Sequence, residues 1–207
     1  MNKSLGWLLL LIAGAARAEE PSIYSLGADL GLNTRYKLKC WSGIGCDQRA
    51  ERGLRLYTAY TLGSNQLLGL RNSNALELSA FDFGNVTSVV QTAADGGHLP
   101  GKSKVVGASL NYVSGLQLSE RLALTTKAGV SFARSTVQYA DAFDLSNYGA
   151  VGTTRSNRVG LDYGLGFAYA LDKNWSLHGD WLRVPIKLGT YDKTHVDMYS
   201  IGLGYRF

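Results

Sequence analysis

The sequence predicts an all-β protein, an eight-stranded antiparallel up-and-down transmembrane β-barrel, on three observations. Short segments alternate apolar with small or polar residues at period two, as a wall with lipid outside and a polar lumen inside requires. The connections between them switch between long polar stretches and tight turns, as a meander crossing a membrane does. The chain also ends inside such a segment, with Tyr199, Ile201, Leu203, Tyr205 and Phe207 alternating with Ser200, Gly202, Gly204 and Arg206. Composition alone points elsewhere: 18% charged residues suit a soluble protein, because a barrel hides its lipid face by alternation. The 25 glycines, 12 tyrosines and 3 prolines suit short, closely packed strands with aromatic belts.

The N-terminus reads as an export leader. Lys3 supplies a positive start, Leu5 to Ala15 an apolar stretch, and Ala16-Arg17-Ala18 a small-x-small cleavage pattern. The apolar stretch is well short of the ~20 residues a spanning helix needs. Cleavage is expected after Ala18, giving a signal peptide over 1–18 and a barrel domain over 19–207. No cysteine follows the site, so no lipid attachment is expected there.

Eight strands follow in order. Tyr24 to Leu32 sets Tyr24, Leu26, Ala28, Leu30 and Leu32 against Ser25, Gly27, Asp29 and Gly31. Gly53 to Leu62 sets Leu54, Leu56, Thr58, Tyr60 and Leu62 against Arg55, Tyr57 and Ala59. Ala75 to Phe83 sets Leu76, Leu78 and Ala80 against Glu77 and Ser79, and Lys104 to Leu118 sets Val106, Ala108, Leu110 and Tyr112 against Gly107, Ser109 and Asn111. Leu122 to Tyr139 carries Leu122, Leu124, Thr126, Ala128, Val130 and Phe132 opposite Thr125, Lys127, Gly129 and Ser131. The cleanest alternation is the sixth, Arg158 to Tyr169, with Val159, Leu161, Tyr163, Leu165 and Phe167 against Gly160, Asp162, Gly164 and Gly166. Trp175 to Val184 and Thr194 to Phe207 complete the set.

Connection length orients the barrel. Asn33 to Arg52, Gly84 to Ser103 and Ala140 to Asn157 are long and polar, and belong outside the cell; Ser119-Glu120-Arg121 and Asp172-Lys173-Asn174 are tight, and belong in the periplasm. Gly63 to Asn74 is long for a periplasmic turn, and its Leu67-Leu68-Gly69-Leu70 patch could extend either neighbouring strand. The fourth outer connection, Pro185 to Lys193, is short.

Several blocks resemble a known family. Leu56-Tyr57-Thr58-Ala59-Tyr60, Ala75-Leu76-Glu77 through Asp82-Phe83-Gly84, Leu118-Ser119-Glu120-Arg121 through Lys127-Ala128-Gly129, Tyr163-Gly164-Leu165-Gly166 and Gly202-Leu203-Gly204-Tyr205-Arg206-Phe207 resemble the strand blocks of the OmpA-like transmembrane domain. The resemblance implies an eight-stranded barrel in the outer membrane of a Gram-negative cell. The terminal aromatic strand is similar to the signature that outer-membrane assembly machinery recognises, which makes Tyr205 and Phe207 the candidate assembly signal. Unlike full-length OmpA, the chain ends at the barrel, so no cell-wall tether is expected.

Alternation turns Asp29, Glu77, Asp162 and Asp180 inward with Arg55, Lys127, Arg158 and Arg206, four acids with four bases. An eight-stranded barrel is only wide enough for its own side chains, so such charges must pair or suffer desolvation. A self-neutralising plug is one reading; a narrow porin-like channel in which Glu77 and Lys127 exchange partners is the other, and the resemblance supports it. In the first outer loop, Cys40 and Cys46 favour a disulfide, since an exported chain with two cysteines and no further nearby ligand beyond Asp47 makes a poor metal site. The same region carries Arg35, Lys37, Lys39, Arg49 and Arg52, which would lie level with lipopolysaccharide phosphates.

Other functions are disfavoured. Without Lys3 and Arg17 the 21 basic residues fall to 19 against 16 acidic, which is no nucleic-acid signature. Lipid A modification would need an accessible Ser, His and acid. His178 has Ser176 and Asp180 on its strand, but all three face the lumen; His98 lies near Asp95 and Ser103, and His195 near Asp197, without a His-x-Ser-Asn block. No catalytic residue, metal or cofactor is expected. Trp41, Tyr139, Trp175 and Trp181 read as interface anchors.

Overall fold

The computed structural model describes residues 23–37, 47–50, 52–91, 98–139, 153–188 and 192–207. Nine strands follow in order: β1 (Tyr24–Lys37), β2 (Asp47–Ala50), β3 (Gly53–Leu67), β4 (Leu70–Gln91), β5 (His98–Gln117), β6 (Leu122–Tyr139), β7 (Thr153–Ala170), β8 (Trp175–Leu188) and β9 (Asp192–Arg206). From β3 to β9 each strand pairs antiparallel with the next. β1 pairs with β3 on one edge and with β9 along the other, so the sheet closes on itself. From Tyr163 opposite Arg183 downward the ring is continuous and leaves no open edge, the condition for strands to cross lipid; above that row β7 and β8 no longer pair.

A ninth, short strand adds to the expected eight without changing the ring. β2 pairs with β1 alone, Thr34 opposite Ala50 through Lys37 opposite Asp47, on the edge that β3 occupies lower down. It therefore prolongs the line of β3 upward, out of a stretch expected to be loop. The Gly63 to Asn74 connection is corrected as well. β3 and β4 both run through it until Leu67 faces Leu70, and the turn is only Leu68-Gly69, with φ of 54° and 77°. Positive φ at both central residues is the type I′ geometry whose twist matches a hairpin.

The strands exceed what a membrane needs. β4 has 22 residues and β5 has 20, whereas ~9–11 tilted residues span the hydrocarbon. Where the surplus begins, the alternation reverses its polarity. Along β8, Trp175 and Leu177 face out while Ser176, His178 and Asp180 face in; one turn of the pleat later Arg183 and Lys187 face out, and Leu182, Val184, Ile186 and Leu188 are buried inside. On β4, outward Leu76, Leu78 and Ala80 give way to Asp82, and inward Glu77 and Ser79 to Phe81 and Phe83. β9 changes likewise, from outward Tyr199 and inward Ser200 to outward His195 and inward Met198 and Val196.

The reversal marks the membrane surface. Below it the barrel has the outside-in polarity that lipid requires; above it the same barrel is built like a water-soluble one. Its upper lumen is consequently a hydrophobic core, with Tyr36, Phe83, Val105, Val137, Leu182, Ile186, Val196 and Met198 all under 2% exposed. Phe81 and Phe83 stack at 4.5 Å, and the Tyr36 hydroxyl donates to the Gly84 carbonyl at 3.0 Å. The expectation of a polar lumen therefore holds for the periplasmic half only.

Signal peptide 1–18, Lys39, Cys40, Trp41 and Cys46 lie outside the described residues, as do the side chains of Asp47, His98 and Tyr139.

Candidate functional site

The lumen charges gather below the apolar cap. Arg55, fully buried on β3, donates from Nε to Asp29 Oδ2 at 2.6 Å, from Nη1 to Glu77 Oε1 at 2.8 Å and from Nη2 to Asp180 Oδ2 at 2.8 Å. Lys127 Nζ bridges Glu77 Oε2 at 3.2 Å and Asp180 Oδ2 at 3.0 Å. Arg55 and Lys127 also lie 5.1 and 5.5 Å from the Tyr57 ring centroid. The planar guanidinium, with donors pointing three ways, is what allows one cation to hold acids from three strands.

Cross-strand glycines make the room. Gly202 lies opposite Asp29, and Gly166 opposite Asp180. A Cβ at either position would collide with the carboxylate that leans across it. No sequence pattern short of the register itself would pair those acids with those glycines.

The eight charges expected in one network divide. Asp29, Arg55, Glu77, Lys127 and Asp180 are joined, including the Glu77–Lys127 pair. Arg158 is apart, donating through Nη1 to the carbonyls of Ile186 at 2.8 Å and Thr194 at 3.0 Å. Arg206 is exposed at the periplasmic mouth. Asp162 is 1% exposed and has no ion-pair partner among the described residues. Beneath the network a cavity of about 510 Å³ opens to the periplasm, with Glu77, Lys127, Tyr57 and His178 deep in it and Arg71, Lys173 and Arg206 along it.

His178 is not part of a triad. Its Nε2 is 2.8 Å from Ser176 Oγ and 3.2 Å from the Tyr57 hydroxyl, while Asp180 is engaged by Arg55 and Lys127. His195 Nε2 lies 3.6 Å from Asp197. At the mouth, Asp172 in the β7–β8 turn accepts from the backbone N–H of Asn174 at 2.8 Å and Trp175 at 2.7 Å, which holds its carboxyl below the usual range.

A second constellation lies on the outer wall just above the point of reversal. The register aligns Arg49, Arg35, Asp197 and Arg183 in one row across β2, β1, β9 and β8, with Lys37 and His195 in the next row and Lys193 opposite Lys187 beyond. Arg183 clamps Asp197 through Nε at 2.7 Å and Nη2 at 2.8 Å, and Trp181 Nε1 donates to the same carboxylate at 3.2 Å. The guanidinium lies 5.3 Å from the Trp181 ring and 5.9 Å from that of Tyr163. Arg35 and Arg49 are directly opposed, an arrangement of like charges that costs stability in a sheet. Of the five basic residues singled out in the first outer connection, Arg35, Lys37 and Arg49 join this sector, and Arg52 is exposed between β2 and β3. Sequence reading missed Arg183, Lys187 and Lys193, which lie on strands distant in sequence.

Trp175 and Trp181 belong to opposite ends of the lipid-facing band. Trp175 packs on Tyr205 at 5.0 Å, and Tyr205 on Phe207 at 5.1 Å, near the periplasmic end; Trp181 packs on Tyr163 at 5.8 Å near the outer end.

The family model described as outer membrane protein beta-barrel domain matches residues 4–207. Among solved structures the chain is similar to Neisserial surface protein A, at 16% identity over 91% of this chain and 100% of that one, with a TM-score of 0.57. It is similar to Ail, the attachment invasion locus protein of Yersinia pestis, at 15% identity, 91% and 100% coverage and a TM-score of 0.55. The Ail structure in complex with the heparin analogue sucrose octasulfate has the same identity and coverage and a TM-score of 0.52. OprG of Pseudomonas aeruginosa matches at 18% identity, 92% and 99% coverage and a TM-score of 0.53. At such identities the likeness concerns the fold. No curated protein sequence matches the chain. With its meander joined end to end, its lipid-facing band between aromatic belts and a family match along nearly all its length, the chain belongs to the outer membrane protein beta-barrel domain family.

Proposed function

We propose that this protein is a non-conducting outer-membrane barrel whose role is structural and adhesive, holding a basic surface against phosphorylated glycolipid at the outer face of the membrane. The observation that carries the reading is the row Arg49, Arg35, Asp197 and Arg183, three guanidiniums with one carboxylate, set directly above Trp181 and Tyr163. Lipid A phosphates are found at that depth, and guanidiniums bind phosphate by paired charge-assisted hydrogen bonds. An anion between Arg35 and Arg49 would relieve their repulsion. The similar barrel Ail was solved with the heparin analogue sucrose octasulfate, which accords with a polyanion ligand here.

The narrow-channel reading is disfavoured by the apolar cap, which would have to open before ions could pass. An enzymatic reading lacks a Ser-His-acid arrangement among the described residues. We also propose that the protein is exported by a leader cleaved after Ala18, that a Cys40–Cys46 disulfide stiffens the first outer loop, and that the assembly machinery recognises Tyr205 and Phe207.

Titration of the detergent-refolded protein with lipid A, and with lipid A stripped of its phosphates, tests the reading. The double variant Arg35→Gln, Arg49→Gln leaves the Arg183–Asp197 clamp intact and should lower affinity for the phosphorylated lipid at least tenfold, about 1.4 kcal/mol. Equal affinity for both lipids, or no loss in the variant, would overturn it.

A further inference from the structure

The buried lumen is short of positive charge. Asp29, Glu77, Asp162 and Asp180 are all under 8% exposed, yet among the described residues only Arg55 and Lys127 pair with this group. Counting Arg158, which bonds to carbonyls nearer the outer end, still leaves one carboxylate without a cation. An unpaired buried charge is among the costliest features a protein interior can hold.

The deficit is localised. Neither Asp162 oxygen nor Asn111 Oδ1 has a partner at full hydrogen-bond geometry, although both residues are at most 1% exposed; the neutral Asn111 and Ser109 side chains face the carboxyl but bring no charge. The register sets Asn111, Gly129 and Asp162 in one row across β5, β6 and β7. Gly129 has no side chain, and the Asn111 Oδ1 atom occupies the space over it. Two acceptor groups are thereby left on either side of a glycine, with Ser109 Oγ bonded to Asn111 Nδ2 at 2.9 Å in the neighbouring row. Turning the Asn111 amide over would offer Asp162 a donor but no charge, so the deficit would persist.

We propose that this cluster binds a hard monovalent cation of sodium type, held by the Asp162 carboxylate and the Asn111 carbonyl oxygen. Oxygen-only donors select hard cations, and a single carboxylate suits one positive charge, whereas divalent sites gather several. Asn111 and Asp162 share a register row with Glu77, beneath the apolar cap, so the ion stays on the periplasmic side of the seal. It completes the neutralisation of the lumen instead of crossing it.

The test is the thermal unfolding midpoint of the refolded barrel at neutral pH in sodium chloride and in choline chloride of equal ionic strength, choline being too large to enter. Wild type should have a higher midpoint in sodium, and once sodium exceeds its dissociation constant each tenfold increase should raise the folding equilibrium constant up to tenfold. Asp162→Asn should lose the sodium response and, in choline, be at least as stable as wild type. Asn111→Ala keeps the carboxylate and should weaken the response, and sodium-23 relaxation read on each folded variant reports occupancy directly. Identical wild-type midpoints in both salts would overturn the proposal. So would a sodium response retained in Asp162→Asn, or a wild-type barrel that acid alone stabilises to the level of that variant.

Discussion

Arg55 and Lys127 organise the lumen because each is shared. Lys127 bridges Glu77 and Asp180, so replacing it by methionine leaves these two carboxylates, together with Asp29, to share Arg55 among the described residues. The cost should be about 3 to 5 kcal/mol if the site stays dry and less if water enters from the cavity. Replacing Glu77 by glutamine in the same chain removes one of the stranded charges and should recover part of the loss. A urea-unfolding double-mutant cycle measures the coupling; additive losses would mean that the 3.2 Å contact between Glu77 and Lys127 contributes nothing. Strand facing alone allowed that pair to be expected. It could not show that Asp180 completes the triangle, because alternation gives the side of the wall and not the partner across it.

At the level of single elements, two segments depart from what local pattern suggested. The β3–β4 hairpin ends in a type I′ turn with Leu68 at φ 54°, in the left-handed region that costs a residue with a Cβ about 1–2 kcal/mol. Asparagine tolerates that region, so Leu68→Asn should stabilise the barrel by up to about 1 kcal/mol in urea unfolding. A loss of stability would show that the 88% exposed leucine side chain holds the hairpin by a contact in lipid or detergent. β8 is the more instructive element. The parity that carries Ser176, His178 and Asp180 inward continues unchanged through Leu182, Val184, Ile186 and Leu188, so the apolar cap is written in the sequence as a change of residue type at constant parity. Reading each strand as one amphipathic unit concealed it.

For the whole molecule, the reversal divides one sheet into a closed, membrane-embedded part with a charged lumen and an outer part with a hydrophobic core, in which β7 and β8 no longer pair. The latter needs no lipid to bury its apolar surface, and it closes the lumen from above. Wild-type protein in planar bilayers at neutral pH should therefore give no discrete conductance steps, whereas Leu182→Ser with Ile186→Ser, which hydrates the cap, should let small steps appear. Regular steps in wild type would remove the closed-lumen reading.

What the sequence determined by itself was the period: eight crossings, their facing, the tight turns at Ser119 to Arg121 and Asp172 to Asn174, and the aromatic ends of the band. These follow from the pleat, which sends successive side chains to opposite faces whatever the rest of the chain does. The tertiary structure decided which distant residues meet. Arg55 and Asp180 are 125 positions apart, and Arg49, Arg35, Asp197 and Arg183 share a row only because β1 and β9 close the ring. That register depends on how every strand is staggered against its neighbours around the barrel, a sum over the whole closed sheet that no single segment encodes.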